Sequence, residues 1–243
     1  MKLNRENINT YSIMDYLGKT FSCDCGREHS VEIEKIIVDN AAINRISEVM
    51  KELGYRKIFL VADTNTYKAA GEKAEKILAE CGFEIEKHVF VRDGNLVPDE
   101  TAIGELLVNY FSGADVILAV GSGVITDLCK FVSYRLNVPF VVVATAPSMD
   151  GYASVAAPLT INGLKTTFNT TVPKAIIGDV DILKNAPMDM IRAGFGDVLG
   201  KYSAINDWKL SRIVTDEYYC DFVSDMVMYS VRKCVETADG LQR

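Results

Sequence analysis

Between Arg56 and Thr145 the chain repeats one pattern. Four short apolar runs, "RKIFLVA", "FEIEKHVFV", "ADVILAVG" and "PFVVVAT", are separated by longer stretches with apolar residues at helical spacing. Apolar strands such as "ADVILAVG" and "PFVVVAT" do not alternate in polarity, so they must be covered on both faces. Strands of that kind belong in a parallel sheet with helices packed on either side. The intervening segments carry helix punctuation: "NTYKAAGEKAEKILAECG" stops at Gly82, and "PDETAIGELLVNYFSG" has Pro98 near its first turn. The expected fold class is α/β, a Rossmann-like parallel sheet with flanking helices.

The flanks differ. Residues 19–40 read as a strand pair, "KTFSCDCG" and "HSVEIEKIIVDN", followed by a helix, "AAINRISEVMKELG", that stops at Gly54. "YASVAAPLTINGLKTTFNT" reads as a hairpin turning at Asn162-Gly163, and "KAIIGDV" as one more strand. After Asp181 only helices are expected, the last with a stripe of Phe222, Val223, Met226, Val227, Val231 and Val235. This is the start of an all-helical second region.

With 243 residues there is room for one large domain, or one domain and part of another. A formal charge of −7 argues against nucleic acid as a partner, so any phosphate must be met by local donors. The N-terminus lacks the apolar core of a secretory leader, and no run approaches membrane-spanning length. Six scattered cysteines suit reduced thiols in a cytoplasmic protein.

Three stretches carry candidate chemistry. In "ILAVGSGVITDLCK", Gly121, Ser122 and Gly123 stand between a buried strand and a helix whose free N–H groups and dipole suit an anion. Asp127, one turn into that helix, can accept from a hydroxyl or fix the loop. This is not GxGxxG, and it follows the third strand of the repeating unit rather than the first, so an ordinary Rossmann fingerprint is absent. In "VVVATAPSMDGYAS", Thr145, Ser148, Asp150 and Ser154 leave the next strand at its C-terminal edge, where open α/β sheets bind ligands. In "AGFGDVLGKYSAINDW", Asp197 lies among Gly194, Gly196 and Gly200 and opens an apolar helix. A carboxylate in such a setting is a candidate metal ligand, yet the two histidines, His29 and His88, lie far upstream.

Taken in order, GSGVITD, TAPSMDGYAS and GFGDVLGKYSA resemble the sn-glycerol-1-phosphate dehydrogenase family. That family sits within the iron-type alcohol dehydrogenase, glycerol dehydrogenase and dehydroquinate synthase superfamily, and the cysteine-bearing N-terminal segment resembles its bacterial branch. The resemblance implies NAD or NADP as cofactor, with a divalent metal (zinc, nickel or iron) in the full-length enzyme. It implies reduction of dihydroxyacetone phosphate to sn-glycerol 1-phosphate, a step of phospholipid metabolism. Partners would be a phosphorylated small molecule, with no nucleic acid and no membrane, and a homodimer is compatible with the family. By position, Gly121, Ser122, Gly123, Val124, Ile125, Thr126 and Asp127 match the pyrophosphate loop. Thr145, Ala146, Pro147 and Ser148 match the nicotinamide side, Ser154 a further cofactor contact, and Asp63 an acidic contact near the adenosine half. Asp150 matches a substrate-binding aspartate, and Asp197 the aspartate that ligates the catalytic metal and touches substrate.

In that family two histidines downstream of the aspartate complete the metal site. The expectation is therefore a C-terminally truncated dehydrogenase, with a dinucleotide-binding domain over residues 1–184 and an incomplete helical metal and substrate domain over 185–243. Such a chain would be inactive alone. Two alternatives stand beside it: a glycerol dehydrogenase-like oxidoreductase, and a nucleotide-binding module without catalysis. Of the other residues, "CDCGREH" brings Cys23, Cys25 and His29 together, but a closed zinc site needs four ligands, and the stretch reads as a surface hairpin with ordinary cysteines. Lys165 reads as a solvated hairpin lysine and Trp208 as core of the helical region.

Overall fold

The computed structural model describes residues 2, 3, 5, 8 and 12–242. Of the N-terminal segment where a leader would stand, Met1, Asn4, Glu6, Asn7, Asn9, Thr10 and Tyr11 lie outside the described residues. Two compact units form: residues 33–191, and residues 1–32 together with 192–243.

The chain begins with β1 (Lys2–Leu3), β2 (Lys19–Cys23) and β3 (Glu28–Val31), a three-stranded sheet in which β3 runs antiparallel to β2 with Phe21 opposite His29. The expected second strand over residues 29–40 is split in two. β4 (Lys35–Asp39) leaves the hairpin and joins a different sheet.

That sheet is the body of the unit spanning 33–191. After α1 (Ile46–Glu52) come β5 (Lys57–Asp63), the single turn α2 (Thr64–Thr66), α3 (Glu72–Glu80) and β6 (Glu84–Phe90). Next are α4 (Glu100–Val108), β7 (Val116–Gly121), α5 (Gly123–Leu136) and β8 (Phe140–Ala144). The hairpin β9 (Ala156–Ile161) and β10 (Leu164–Asn169) and the strand β11 (Ala175–Asp179) follow. The six parallel strands lie in the order β4-β11-β8-β7-β5-β6.

The central strands have a side-chain period of two with both sets apolar. Ile58, Leu60 and Ala62 of β5, Val116, Leu118 and Val120 of β7, and Val141 and Val143 of β8 belong to one core, with Ile46, Met50 and Leu78. Phe59 and Val61, Ile117 and Ala119, and Phe140 and Val142 belong to a second, with Leu106, Leu128, Val132 and Leu159. Burying a side chain of this kind contributes about 1.5–3 kcal/mol, so two stacked cores place this sheet beyond rearrangement by any local preference. Asn162 and Gly163 turn the hairpin at φ 50° and 76°, as the Asn-Gly dipeptide suggests.

After β11 the chain is helical: α6 (Val180–Leu183), α7 (Met188–Leu199), α8 (Lys201–Thr215) and α9 (Asp221–Glu236). The α/β part and the helical run are as expected. The grouping is new. The first strands cluster with the C-terminal helices because Leu3, Phe21 and Cys23 share a core with Cys220 and Phe222, and the boundary of the sheet unit falls inside α7 rather than at residue 184. Trp208 packs on this small core and donates its indole N–H to the Tyr218 carbonyl at 2.7 Å.

Candidate functional site

Between β5 and β7 the sheet changes winding direction: β5 is followed by its neighbour β6, whereas β7 lies on the other side of β5. Loops leaving the carboxyl ends of two such strands diverge and leave a crevice. Here it is a cleft of about 910 Å³, within the size range of small-molecule sites.

Each wall is set by its sequence. At the end of β5, Asp63 caps α2, its carboxylate accepting from the N–H groups of Asn65 at 2.8 Å and Thr66 at 2.9 Å. At the end of β7, Ser122 is the N-cap of α5 but makes no side-chain cap. The first N–H groups of a helix have no intrahelical partner, so α5 presents uncapped donors where Ser122, Val124 and Ile125 line the cleft. At the end of β8, the Thr145 N–H donates to the Gly121 carbonyl at 3.1 Å, which ties this loop to the glycine loop.

The two glycines of that loop differ in purpose. A Cβ on Gly121 would sit 2.5 Å from Ile125 Cβ, so this glycine is demanded by close strand–helix packing. A Cβ on Gly123 would meet only Met149 Sδ at 3.5 Å. The fold leaves Gly123 free to carry a side chain, which is the mark of a position kept bare for a ligand.

Of the residues singled out from sequence, the cleft brings together Asp63, Ser122, Val124, Ile125, Thr145 and Ala146. Gly121, Thr126 and Asp127 are buried, and the Thr126 hydroxyl has no hydrogen-bond partner among the described residues. Pro147 and Ser148 are half-buried on the loop after β8, and Asp150 is exposed at the start of a short turn over Gly151–Ala153. Neither these three, nor Gly123, nor Ser154, belong to the cleft lining.

Asp127 and Ser154 are engaged by a residue the sequence reading passed over. Lys130 is completely buried, and its ammonium donates to the Gly151 carbonyl at 2.7 Å, Ser154 Oγ at 3.2 Å and the Ala156 carbonyl at 3.1 Å. It lies 3.5 Å from the Asp127 carboxylate. Burial pushes the Asp127 carboxyl up to about 6 against the opposing pull of Lys130, and burial pulls the Lys130 ammonium down. Tyr152 adds a second tie, its hydroxyl donating to the Ala146 carbonyl at 2.7 Å. The only sequence signal for Lys130 is a lysine three residues after Asp127 on an otherwise apolar helix.

The opposite walls were also missed. Arg92, Asn95 and Leu96 follow β6, and Asn185, Pro187 and Met190 follow β11. Arg92 pairs with Glu105, whose carboxyl is held low chiefly by that hydrogen bond, and Glu105 accepts from or pairs with His88 Nε2 at 2.9 Å. These residues come from segments of mixed composition with no motif.

Asp197 is exposed within α7, in the unit that does not contain the cleft. It does not open a helix as expected. Asp197 is in the last turn of α7, the helix ends at Leu199, and α8 begins after Gly200. His88 is occupied on β6 and His29 lies among cysteines: its Nε2 is 3.3 Å from Cys25 Sγ and 3.5 Å from Cys220 Sγ. Cys23 is not a surface hairpin residue; it is buried, 3.7 Å sulfur to sulfur from Cys220. Lys165 is exposed, as expected of a solvated hairpin lysine.

A sequence model described as iron-containing alcohol dehydrogenase matches residues 37–187, which is more than half of the chain. The chain belongs to this family. Among its curated relatives, a glycerol-1-phosphate dehydrogenase [NAD(P)+] of Halalkalibacterium halodurans is 39% identical over 222 residues, covering 90% of this chain and 56% of the relative. One of Bacillus subtilis is 34% identical over 213 residues, covering 87% of this chain and 54% of the relative. The family member described here thus spans a little over half the length of the curated relatives it matches. Among solved structures, an alcohol dehydrogenase from Oenococcus oeni superposes with a TM-score of 0.64 at 18% identity, over 86% of this chain and 61% of the other. A glycerol dehydrogenase from Schizosaccharomyces pombe does so with 0.61 at 21%, over 70% and 43%. At those identities the structures speak to fold alone, and the fold agrees. No helix among the described residues is long and apolar enough to cross a membrane.

Proposed function

We propose that this chain is the dinucleotide-binding part of a glycerol-1-phosphate dehydrogenase, an enzyme that reduces dihydroxyacetone phosphate to sn-glycerol 1-phosphate with NADH or NADPH. The observation that carries the reading is the uncapped start of α5 on a cleft at the sheet's switch point, next to a glycine that nothing in the fold requires. A pyrophosphate needs such converging N–H donors. The relatives' shared name supplies the substrate class.

In this reading the first turn of α5 holds the pyrophosphate, and Thr145 with Ala146 lies along the nicotinamide. Asp63, through the backbone it caps, shapes the adenosine end. Asp150 accepts from a substrate hydroxyl. The bound dinucleotide supplies the hydride, and these residues align it. A catalytic metal does not fit the side chains present. Among the described residues no group of three metal-binding side chains includes Asp197, and both histidines are engaged elsewhere. A single carboxylate holds a transition ion poorly. We therefore expect the 243-residue chain to bind dinucleotide yet show little reductase activity by itself.

Fluorescence titration with NADH and NADPH, followed by assays with dihydroxyacetone phosphate and with glycerol, tests this. Saturable micromolar binding with negligible turnover is expected. No binding of either dinucleotide would remove the reading. Turnover of glycerol in preference to the phosphorylated ketone would favour a glycerol dehydrogenase.

A further inference from the structure

Cys23, Cys25, His29 and Cys220 converge in the unit made of residues 1–32 and 192–243, with their four ligand atoms all within 4.8 Å of one another. Cys23 ends β2, Cys25 lies in the turn that follows, His29 is on β3, and Cys220 is the N-cap of α9. The sequence separation between His29 and Cys220 is 191 residues, so no local motif could show the fourth member.

The spacings suit one ion. Zinc bonds sulfur at about 2.3 Å and imidazole nitrogen at about 2.0–2.1 Å, so tetrahedral coordination sets sulfur–sulfur edges near ~3.8 Å and sulfur–nitrogen edges near ~3.6 Å. The sulfurs of Cys23 and Cys220 are 3.7 Å apart, and His29 Nε2 is 3.3 and 3.5 Å from the sulfurs of Cys25 and Cys220. All four cysteine and histidine groups are available as ligands, since the cysteines are free rather than disulfide-bonded. Three thiolates and one neutral imidazole are soft donors that favour zinc over magnesium or calcium. The surroundings fit a second layer: the Tyr218 hydroxyl is 3.2 Å from Cys25 Sγ, and the Arg27 guanidinium stacks 3.6 Å over the Tyr218 ring, placing a cation beside what would be an anionic cluster.

We propose that Cys23, Cys25, His29 and Cys220 form a closed structural zinc site that clamps the N-terminal strands to the start of α9. Four protein ligands leave no open position for substrate, so this site is structural rather than catalytic. Asp197 is not among its ligands. Ions of this kind contribute to folding directly, because the unfolded chain has no preformed site.

The test is metal analysis of the purified 243-residue chain, produced in zinc-supplemented medium and desalted under reducing conditions. One zinc per chain is expected, and replacement by cobalt(II) should give the visible bands of a tetrahedral site together with sulfur-to-cobalt charge transfer. Cys220→Ser and Cys23→Ser should lose the ion. His29→Cys, which exchanges one ligand for another and so retains four, should keep it, and Asp197→Ala should keep it too. Should the cysteine variants fail to fold, blocking thiols of the wild-type chain with a mercurial should release one zinc, read with a metal-sensitive dye. Folded wild-type protein carrying no zinc and giving no cobalt spectrum would overturn the proposal. So would zinc that stays stoichiometric in folded Cys220→Ser, or that survives the mercurial.

Discussion

Single residues carry the distinction between fold and ligand in the glycine loop. Gly121 is locked by Ile125, while Gly123 faces only the tip of Met149. Gly123→Val should therefore leave the thermal midpoint of the protein within a few degrees of wild type, because the β-carbon meets no backbone. The same side chain would crowd the N–H groups of the first turn of α5. Affinity for NADH should fall by at least tenfold, about 1.4 kcal/mol. Calorimetric titration beside a melting curve checks both halves, and unchanged affinity would show that the pyrophosphate lies elsewhere. Asp63 illustrates the opposite situation. An acidic residue after a strand reads as a ligand contact, whereas its carboxylate is first of all a helix cap. No property of the sequence separates these two uses, since both need an acceptor at a helix start.

At the scale of elements, α5 is the hinge of the sheet unit's architecture. Its N-terminus faces the cleft, and Lys130 on its next turn holds the loop between β8 and β9 through three acceptors. Lys130→Met keeps the length of the side chain but leaves Asp127 buried without its cation. Removing one partner of a buried pair costs about 3–5 kcal/mol. A loss of that size is expected in urea unfolding, with partial recovery in the double variant that also carries Asp127→Leu. A loss below about 1 kcal/mol would mean that the pair contributes only packing. The strands β5, β7 and β8 were legible because burial on both faces leaves continuous apolar runs. The second strand of the N-terminal hairpin was not. Its residues 28–31 and 35–39 belong to different sheets, yet only three residues separate them, and no glycine or proline marks the change.

For the molecule as a whole, the sheet unit is continuous from residue 33 to 191, and it contains both large cores and every residue lining the cleft. A fragment of those residues should unfold in one cooperative transition and bind NADH within a few-fold of the whole chain. Circular dichroism melting and fluorescence titration of the fragment check this. A fragment that folds but does not bind would mean that the cleft needs residues from outside the unit.

The alternation of buried strands and amphipathic helices determined, without coordinates, that this chain forms a covered parallel sheet, since no other arrangement satisfies strands that are apolar on both faces. The order of its loop motifs likewise placed it in its family. Tertiary structure alone decided which residues meet. Lys130 became the keystone of the loop after β8 because a helix turn happens to aim it at three carbonyl and hydroxyl acceptors. Cys220 joined Cys23, Cys25 and His29 because the small core of Leu3, Phe21 and Phe222 draws the two ends of the chain together. Contacts between residues about two hundred positions apart leave no periodic trace in a sequence, because burial fixes only that a side chain is covered and not what covers it.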